Sequence, residues 1–271
     1  MYKLLKAGFF RLKKDLIFWL FIFLTIGITI FTLTNYSPSD GDILDDFINE
    51  FVMYIGIFIA IFVSIFVGKE YSEGIIRNKI IVGHSRVSIY LSNLLLSIIT
   101  SVLCEFIFLA IILLVGIPIY GNLQMPLSDF LMSLLNVVLV IISFCSIFNF
   151  IAMICSEITV STTICILLFI AMFIAQGSFA LTANSHKYIE HTFIDENGNR
   201  YIISQEPDPN YPGDNVVKAA RIIYLSIPQG QANELADADT EYLYQMPIYS
   251  ITLICIINIV GVYIFSKKEL K

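Results

Sequence analysis

Long apolar stretches alternate with short polar ones along this chain, and the apolar stretches have the length that crosses a lipid bilayer. The third stretch exceeds the roughly 20 residues that a bilayer requires, so we expect it to tilt or to project beyond the membrane. The pattern predicts an all-α polytopic membrane protein with one transmembrane domain over residues 1–271. The six predicted transmembrane helices cover residues 16–35, 50–68, 88–117, 130–153, 163–181 and 247–265.

The distribution of basic residues predicts that both termini lie in the cytoplasm. Of the 16 Lys and Arg residues, five lie in residues 1–14, four in residues 69–90 and three in residues 267–271. Cytoplasmic segments of membrane proteins carry such an excess of basic residues. The other four lie in residues 182–245, a long loop on which this rule has little influence.

Residues 1–15 combine basic and apolar positions at helical spacing. On a helical wheel the basic residues cover one face, and Tyr2, Leu5 and Phe9 lie on the opposite face. This arrangement is typical of a helix that lies in the membrane interface against anionic lipid. The alternative is that these residues are only the basic flank of the first span.

Residues 69–87 form the long charged break between two closely spaced apolar segments. Apolar residues at positions 75, 76 and 80–82 lie among the basic ones. We therefore expect a short amphipathic helix, lying on the membrane surface or docked into a partner protein. A solvated loop is the alternative.

The same loop resembles the first cytoplasmic loop of ABC-2 type permeases, the six-helix membrane subunits of ABC exporters. The resemblance rests on residues 70–74, 76–79, 83–86 and 89–93, with Ile75 where the family usually has Thr. It implies an N-terminal elbow helix at residues 1–15 and a coupling helix that sits in a cleft of an ATPase subunit. The residues that would couple to the ATPase, including one in a second short loop, are Glu70, Tyr71, Glu73, Gly74, Arg77, Asn78, Lys79, Arg86 and Glu157.

The polar segment at residues 182–245 is predicted to be extracellular. Extended residues on either side of residues 196–199 predict a β-hairpin, and residues 215–227 and 231–243 have helical spacing, interrupted at Pro228. We expect these two helices to dip into the outer leaflet. The segment also resembles the outer loop before the last helix of six-helix ABC-2 permeases, which implies an outer gate at Arg221, Pro228, Gln229, Gly230 and Gln231.

The composition is that of a membrane protein and offers no nucleotide-binding motif. Hydrophobic residues make up 57% of the chain and charged residues 14%, with a mean hydropathy of +0.81. The pI of about 5.0 does not suggest nucleic acid as a partner. The sequence contains no GxxxxGK[ST] phosphate-binding loop. We therefore expect no cofactor in this chain, with ATP and Mg²⁺ bound by a separate ATPase subunit.

Few polar residues offer a catalytic or metal site. His186 and His191 are five residues apart and could hold a metal, but a surface pair is the favoured interpretation, and we predict no metal site. Glu105 is an ionisable residue well inside a span, where such residues usually face a cavity or a partner helix. We predict a substrate path at Glu105, Phe144 and Asn149. The alternative for Glu105 and Asn149 is a hydrogen bond between helices, and the alternative for Phe144 is an ordinary lipid-facing side chain.

The resemblance implies the permease of an ATP-driven exporter in a bacterial cell membrane. Two ATPase subunits and a second permease, identical or homologous, would be its partners. The family includes exporters of phenol-soluble-modulin-like peptide toxins and bacteriocins, so amphipathic or hydrophobic peptides are the expected cargo. A drug or lipid exporter is the alternative within the class, and a non-transporting membrane sensor or scaffold is the alternative outside it.

Overall fold

The computed structural model describes residues 1–36, 41, 43–194, 200–238 and 241–268. Two antiparallel strands, β1 (Tyr188–Ile194) and β2 (Arg200–Pro207), interrupt an otherwise helical chain. The helices in these residues are α1 (Tyr2–Lys14), α2 (Leu16–Asn35), α3 (Phe51–Ser72), α4 (Ile75–Ile81), α5 (Arg86–Tyr120), α6 (Leu127–Ile154), α7 (Ile158–Ala183), α8 (Asp214–Ser226), α9 (Pro228–Ala236) and α10 (Met246–Lys267).

Six segments of the described chain are long and apolar enough to cross a bilayer. They are α2, the Leu44–Ser72 segment that contains α3, and helices α5, α6, α7 and α10. Their mean hydropathies lie between 2.3 and 2.8, which favours helices because a helix satisfies all its backbone hydrogen bonds internally. The prediction of an all-α protein with six membrane spans is confirmed.

Helices α3 and α6 form the centre of the bundle. In each, 67% of the most apolar stretch is buried, against 17% in α7 and α10. Gly56 of α3 allows the close approach, since a Cβ there would lie 2.9 Å from the Phe144 ring and 2.6 Å from the Phe169 ring. Small residues let membrane helices pack closely in this way. The more exposed helices surround this centre.

Helix α5 is longer than predicted at both ends. It begins at Arg86, where the Ser85 side chain accepts a hydrogen bond from the Ser88 N–H at 3.2 Å, and it continues through Pro118. Proline removes one backbone donor and its ring crowds the carbonyl four residues earlier, and the helix ends two residues after Pro118. Gly121 follows the helix, with a φ of +88° that only glycine adopts readily. The helix therefore ends at Tyr120, three residues beyond the predicted end at residue 117.

The predicted β-hairpin is present, with Tyr188 opposite Pro207 and a bulge between His191 and Thr192. The expected turn at residues 196–199 lies outside the described residues. The two predicted helices follow, but the second begins at Pro228 and ends at Ala236, not at residue 243. Proline is favoured in the first helical turn because its missing N–H has no helical partner there. Pro228 thus starts α9 as well as ending the stretch before it.

The bundle has two polar ends. We call one the loop face; it comprises α1, residues 69–86, the turn between α6 and α7 at residues 153–157, and residues 265–268. We call the other the hairpin face; it comprises β1, β2, α8, α9 and residues 241–245. The predicted coupling and gate residues therefore lie at opposite ends of the bundle.

The packing of α3 against α6 and α7 can be tested at Gly56. Gly56→Ala adds a methyl group between two aromatic rings, and we expect it to destabilise the fold by about 1–3 kcal/mol. The matched control is Gly27→Ala in α2, where a Cβ would meet nothing within 4 Å. Thermal unfolding in detergent is the measurement, and equal melting temperatures for the two variants would contradict the packing described here.

Candidate functional site

A buried carboxylate, Glu70, organises the loop face. It lies in the last turn of α3 and is 1% exposed. Its Oε1 accepts from Arg11 at 2.9 Å and from Lys79 at 2.5 Å, and its Oε2 accepts from the Asn93 amide at 2.8 Å. One side chain thus joins α1, α3, α4 and α5. Burial lowers the pKa of Lys79, although the nearby Glu70 charge opposes that shift.

The neighbouring Lys69 fixes the corner between α1 and α2. Its Nζ donates to the two Asp15 carboxylate oxygens at 2.9 and 3.0 Å. Asp15 also accepts from the Ile17 N–H at 3.1 Å, which caps the start of α2. The Trp19 indole donates to the Lys13 carbonyl at 3.0 Å. These contacts hold α1 at a fixed angle to the end of α3.

Helix α4 is a short element between two glycines. Gly74 and Gly83 have φ values of +68° and +96°, so each allows a sharp change of chain direction that other residues resist. Ile76 is buried and anchors the helix against the bundle. The side chains left exposed in and around α4 are those of Glu73, Arg77, Asn78, Ile81 and Val82. We call this group the α4 surface.

Three polar side chains satisfy carbonyl groups at the ends of α6 and α10. The Tyr71 hydroxyl donates to the Met153 carbonyl at 2.5 Å, and Lys268 Nζ donates to the Ile154 carbonyl at 2.7 Å. Arg86 donates to the carbonyls of Phe265, at 3.2 Å, and Lys268. The last carbonyls of a helix have no partner within it, so these donors stabilise both helix ends. Burial lowers the pKa of Lys268.

At the hairpin face, Arg221 of α8 connects three neighbouring segments. Its guanidinium pairs with Glu234 of α9 at 3.3 Å and donates to Ala183 and Asn184, at the end of α7, at 2.9 and 2.7 Å. It also lies over the Tyr242 ring, 4.4 Å from the centroid, which is cation–π geometry. Arg221 therefore holds α7, α8, α9 and the segment before α10 together.

Residues 228–231 begin α9 and pack tightly on the bundle. The Gln229 amide donates to the Met53 carbonyl of α3 at 3.2 Å. Gln231 donates to the Leu225 carbonyl at 2.6 Å and accepts from Ser250 of α10 at 2.6 Å. A Cβ on Gly230 would lie 2.1 Å from the Tyr224 carbonyl oxygen, so only glycine fits. Helix α9 is thus buried against the bundle, whereas we expected it to dip into the outer leaflet.

Comparison with known families decides the class of this protein. The family model described as ABC-2 type transporter matches residues 2–191 of the 271 residues. The chain belongs to the ABC-2 type transporter family. A search of curated proteins found no matching relative. Members of this family are multi-pass membrane proteins, typically non-catalytic transport subunits that work with an ABC ATPase.

The structure divides the predicted coupling residues of this ABC-2 protein into two groups. Glu73, Arg77, Asn78 and Glu157 are exposed, and they are the side chains that a docked protein could contact. The others in the set bond within the chain or, as Gly74, shape the backbone. For Glu70 the burial means that it supports the loop and does not face a partner in this structure. The coupling role of the whole set stays a prediction.

The three predicted path residues of the ABC-2 protein lie inside the chain. Glu105 is 5% exposed, and Phe144 and Asn149 are 0% exposed. Phe144 packs against Gly56 and stacks on Phe148, with the ring centroids 6.0 Å apart. Asn149 lies next to the buried Tyr90 hydroxyl. None of the three lines an open channel in this structure, and their role in a path stays a prediction.

Sequence reasoning missed several residues of the loop face. The sequence predicts Arg11 only as part of a basic helix face, and Asn93 only as one of residues 89–93, which carry the resemblance. Lys268 was counted only as a basic residue near the chain end. Their positions in the sequence could have indicated these roles. A basic residue just after a helix, or an amide one turn inside a span, often forms a hydrogen bond with a buried partner.

Glu70 provides a direct test of this arrangement. Glu70→Gln leaves Arg11 and Lys79 without their buried countercharge, and we expect it to destabilise the ABC-2 protein by about 3–5 kcal/mol. Glu73→Gln, three residues away and exposed, should change stability by less than about 0.5 kcal/mol. Chemical unfolding in detergent measures both. A Glu70→Gln variant as stable as Glu73→Gln would contradict the central role of Glu70.

Proposed function

We propose that this ABC-2 protein is the permease subunit of an ATP-driven exporter, and that a separate ATPase subunit docks on the α4 surface. The observation that carries the proposal is the exposure of Ile81 and Val82, which are 74% and 77% exposed beyond the end of a span. Apolar residues bordered by Arg77 and Asn78 have the composition of a protein interface. ATP and Mg²⁺ would be bound by the ATPase, since this sequence has no P-loop.

Contacts at the loop face fix the α4 surface to the ends of several helices. A push on α4 would reach Glu70 through Lys79, and from Glu70 it would reach α1 and α5. The same push would reach α6 and α10 through Tyr71, Arg86 and Lys268. Because these contacts join helix ends directly, the helices would tilt together. This supports a mechanism in which closure of two ATPase subunits changes the tilt of the spans.

A second permease subunit, identical or homologous, would complete the transporter. Only 22% of the most apolar stretch of α2, and 17% of those of α7 and α10, is buried within this chain. Their outward faces are apolar and suit either lipid or another permease. Since the predicted path residues are enclosed in the single chain, we propose that the transport path forms between two permeases. Both termini would then be cytoplasmic and the hairpin face extracellular, in a bacterial cell membrane.

The proposed cargo is an amphipathic or hydrophobic peptide. The support is indirect: a path between the apolar outward faces of two permeases favours cargo that can itself contact apolar surface. The carboxyl group of Glu105, whose Oε2 has no hydrogen-bond partner among the described residues, would be a polar point near such a path. The α8 and α9 helices, held by Arg221, would close the path at the hairpin face.

Charge reversal on the α4 surface tests the docking proposal. We expect Glu73→Lys with Arg77→Glu to leave membrane insertion and melting temperature unchanged, because both side chains are exposed. Affinity for the co-expressed ABC ATPase should fall about tenfold or more, as expected when several interface contacts are lost. Lys6→Glu, an exposed change on α1, is the matched control. Unchanged ATPase binding and unchanged export would refute docking at this surface.

Lys268 tests how the push is transmitted. Lys268→Met removes the donor to the Met153 and Ile154 carbonyls, while Lys267→Met removes a neighbouring exposed lysine. We expect Lys268→Met to retain ATPase binding but to lower the amount of peptide exported per ATP hydrolysed. The loss of stability should be about 1–3 kcal/mol. Reconstituted vesicles measure the ratio, and equal ratios for the two variants would refute this route.

A further inference from the structure

The seam between α2 and α3 contains two adjoining pockets of different chemistry. The first lies at the loop face, has a volume of about 210 Å³, and is bordered by Arg11, Lys14, Asp15, Leu16, Lys69 and Glu73. The second, also of about 210 Å³, is apolar. It is formed by Ile17, Leu20, Phe21 and Leu24 of α2 and by Phe58, Ile61, Phe62 and Ile65 of α3.

The linings of the two pockets follow one another along both helices. Leu16 of the polar pocket precedes Ile17 of the apolar one, and Lys69 lies one helical turn after Ile65 on the same face of α3. The apolar pocket extends over about two turns of each helix, or roughly 10 Å. It starts where α2 begins, so it occupies the half of the bilayer next to the loop face. Leu20 and Leu24 are 48% and 49% exposed, so the pocket opens toward lipid.

The charges of the polar pocket favour an anion. The pocket is bordered by three basic residues, Arg11, Lys14 and Lys69, and by two carboxylates, Asp15, which pairs with Lys69, and Glu73. Behind the pocket, Glu70 pairs with Arg11 and Lys79, so four cations face three carboxylates and the group carries one net positive charge. Lys14 is exposed, with its ammonium over the Phe10 ring at 4.3 Å from the centroid. The other basic residues of α1, Lys3, Lys6 and Lys13, are also exposed and add to the positive potential. The region therefore attracts negative charge to the mouth of an apolar groove.

We infer that this seam binds one anionic phospholipid, with the phosphate at Lys14 and an acyl chain in the α2–α3 groove. The joined polar and apolar pockets match the two parts of such a lipid. A helix from a second permease or from a peptide is about 10 Å wide, whereas this groove is a narrow cleft between two helices that already touch. The inference does not depend on the proposed ATPase.

Native mass spectrometry of the purified full chain tests this site. Phosphatidylglycerol, phosphatidylethanolamine and phosphatidylcholine with identical acyl chains are added in turn, and the fraction of protein retaining one lipid is recorded. We expect phosphatidylglycerol to be retained in clear preference to the other two. Lys14→Gln should weaken its retention about fivefold, the effect of one basic residue at an anionic surface. Lys6→Gln, on α1 but outside the pocket lining, should weaken retention much less than Lys14→Gln does.

The groove is tested separately by Leu24→Trp, which fills it from one side. Its control, Phe23→Trp, is on the same helix at a position that is 66% exposed and outside the groove. We expect Leu24→Trp to lower retention of phosphatidylglycerol severalfold and Phe23→Trp to leave it unchanged. Three results would overturn the inference: equal retention of all three lipids, retention unaffected by Lys14→Gln, or loss of a dimer and not of lipid in Leu24→Trp.

Discussion

The buried carboxylate of Glu70 is the contact on which the rest of the loop face depends. Removing three charged groups from water costs several kcal/mol per ion, and mutual attraction repays this only when the geometry is good. Here the two Glu70 oxygens accept hydrogen bonds from two cations and one amide at 2.5–2.9 Å. These short contacts offset the cost of removing the charges from water. The amphipathic helix, the short α4 and the start of α5 belong to separate segments of the chain. Their common position follows from one side chain.

The two ends of the bundle differ in how tightly their polar residues are packed. Both faces use ion pairs and donors that satisfy helix carbonyls, and at the loop face the central carboxylate, Glu70, is buried. At the hairpin face, Gly230 against the Tyr224 carbonyl and the buried Gln229 and Gln231 leave little free space. The apolar middle, centred on α3 and α6, connects them. The loop face is therefore suited to moving several helix ends together, and the hairpin face to a tight closure.

The spans could be predicted because the bilayer imposes one length and one polarity on all of them. Their ends were less predictable, since Pro118 and Pro228 act differently according to which end of a helix they occupy. The motif at residues 70–86 predicted a set of coupling residues but could not separate exposed Arg77 from buried Glu70. The two residues differ in what surrounds them, because Glu70 is enclosed by α1, α4 and α5 whereas Arg77 is exposed on α4. Lys268 was missed for the same reason, because its partners are more than 100 residues away.

Arg11 has two roles that together explain why the basic helix belongs at this end of the protein. Its Nη1 pairs with Glu70, while its side chain also borders the pocket that we assign to an anionic lipid. A lipid phosphate in that pocket would draw α1 toward the membrane surface, whereas Glu70 holds α1 to the end of α3. Any movement of α3 that follows a push on α4 must then shift α1 relative to the lipid headgroups. In the transporter that we propose, an anionic lipid bound beside α1 would therefore resist that shift.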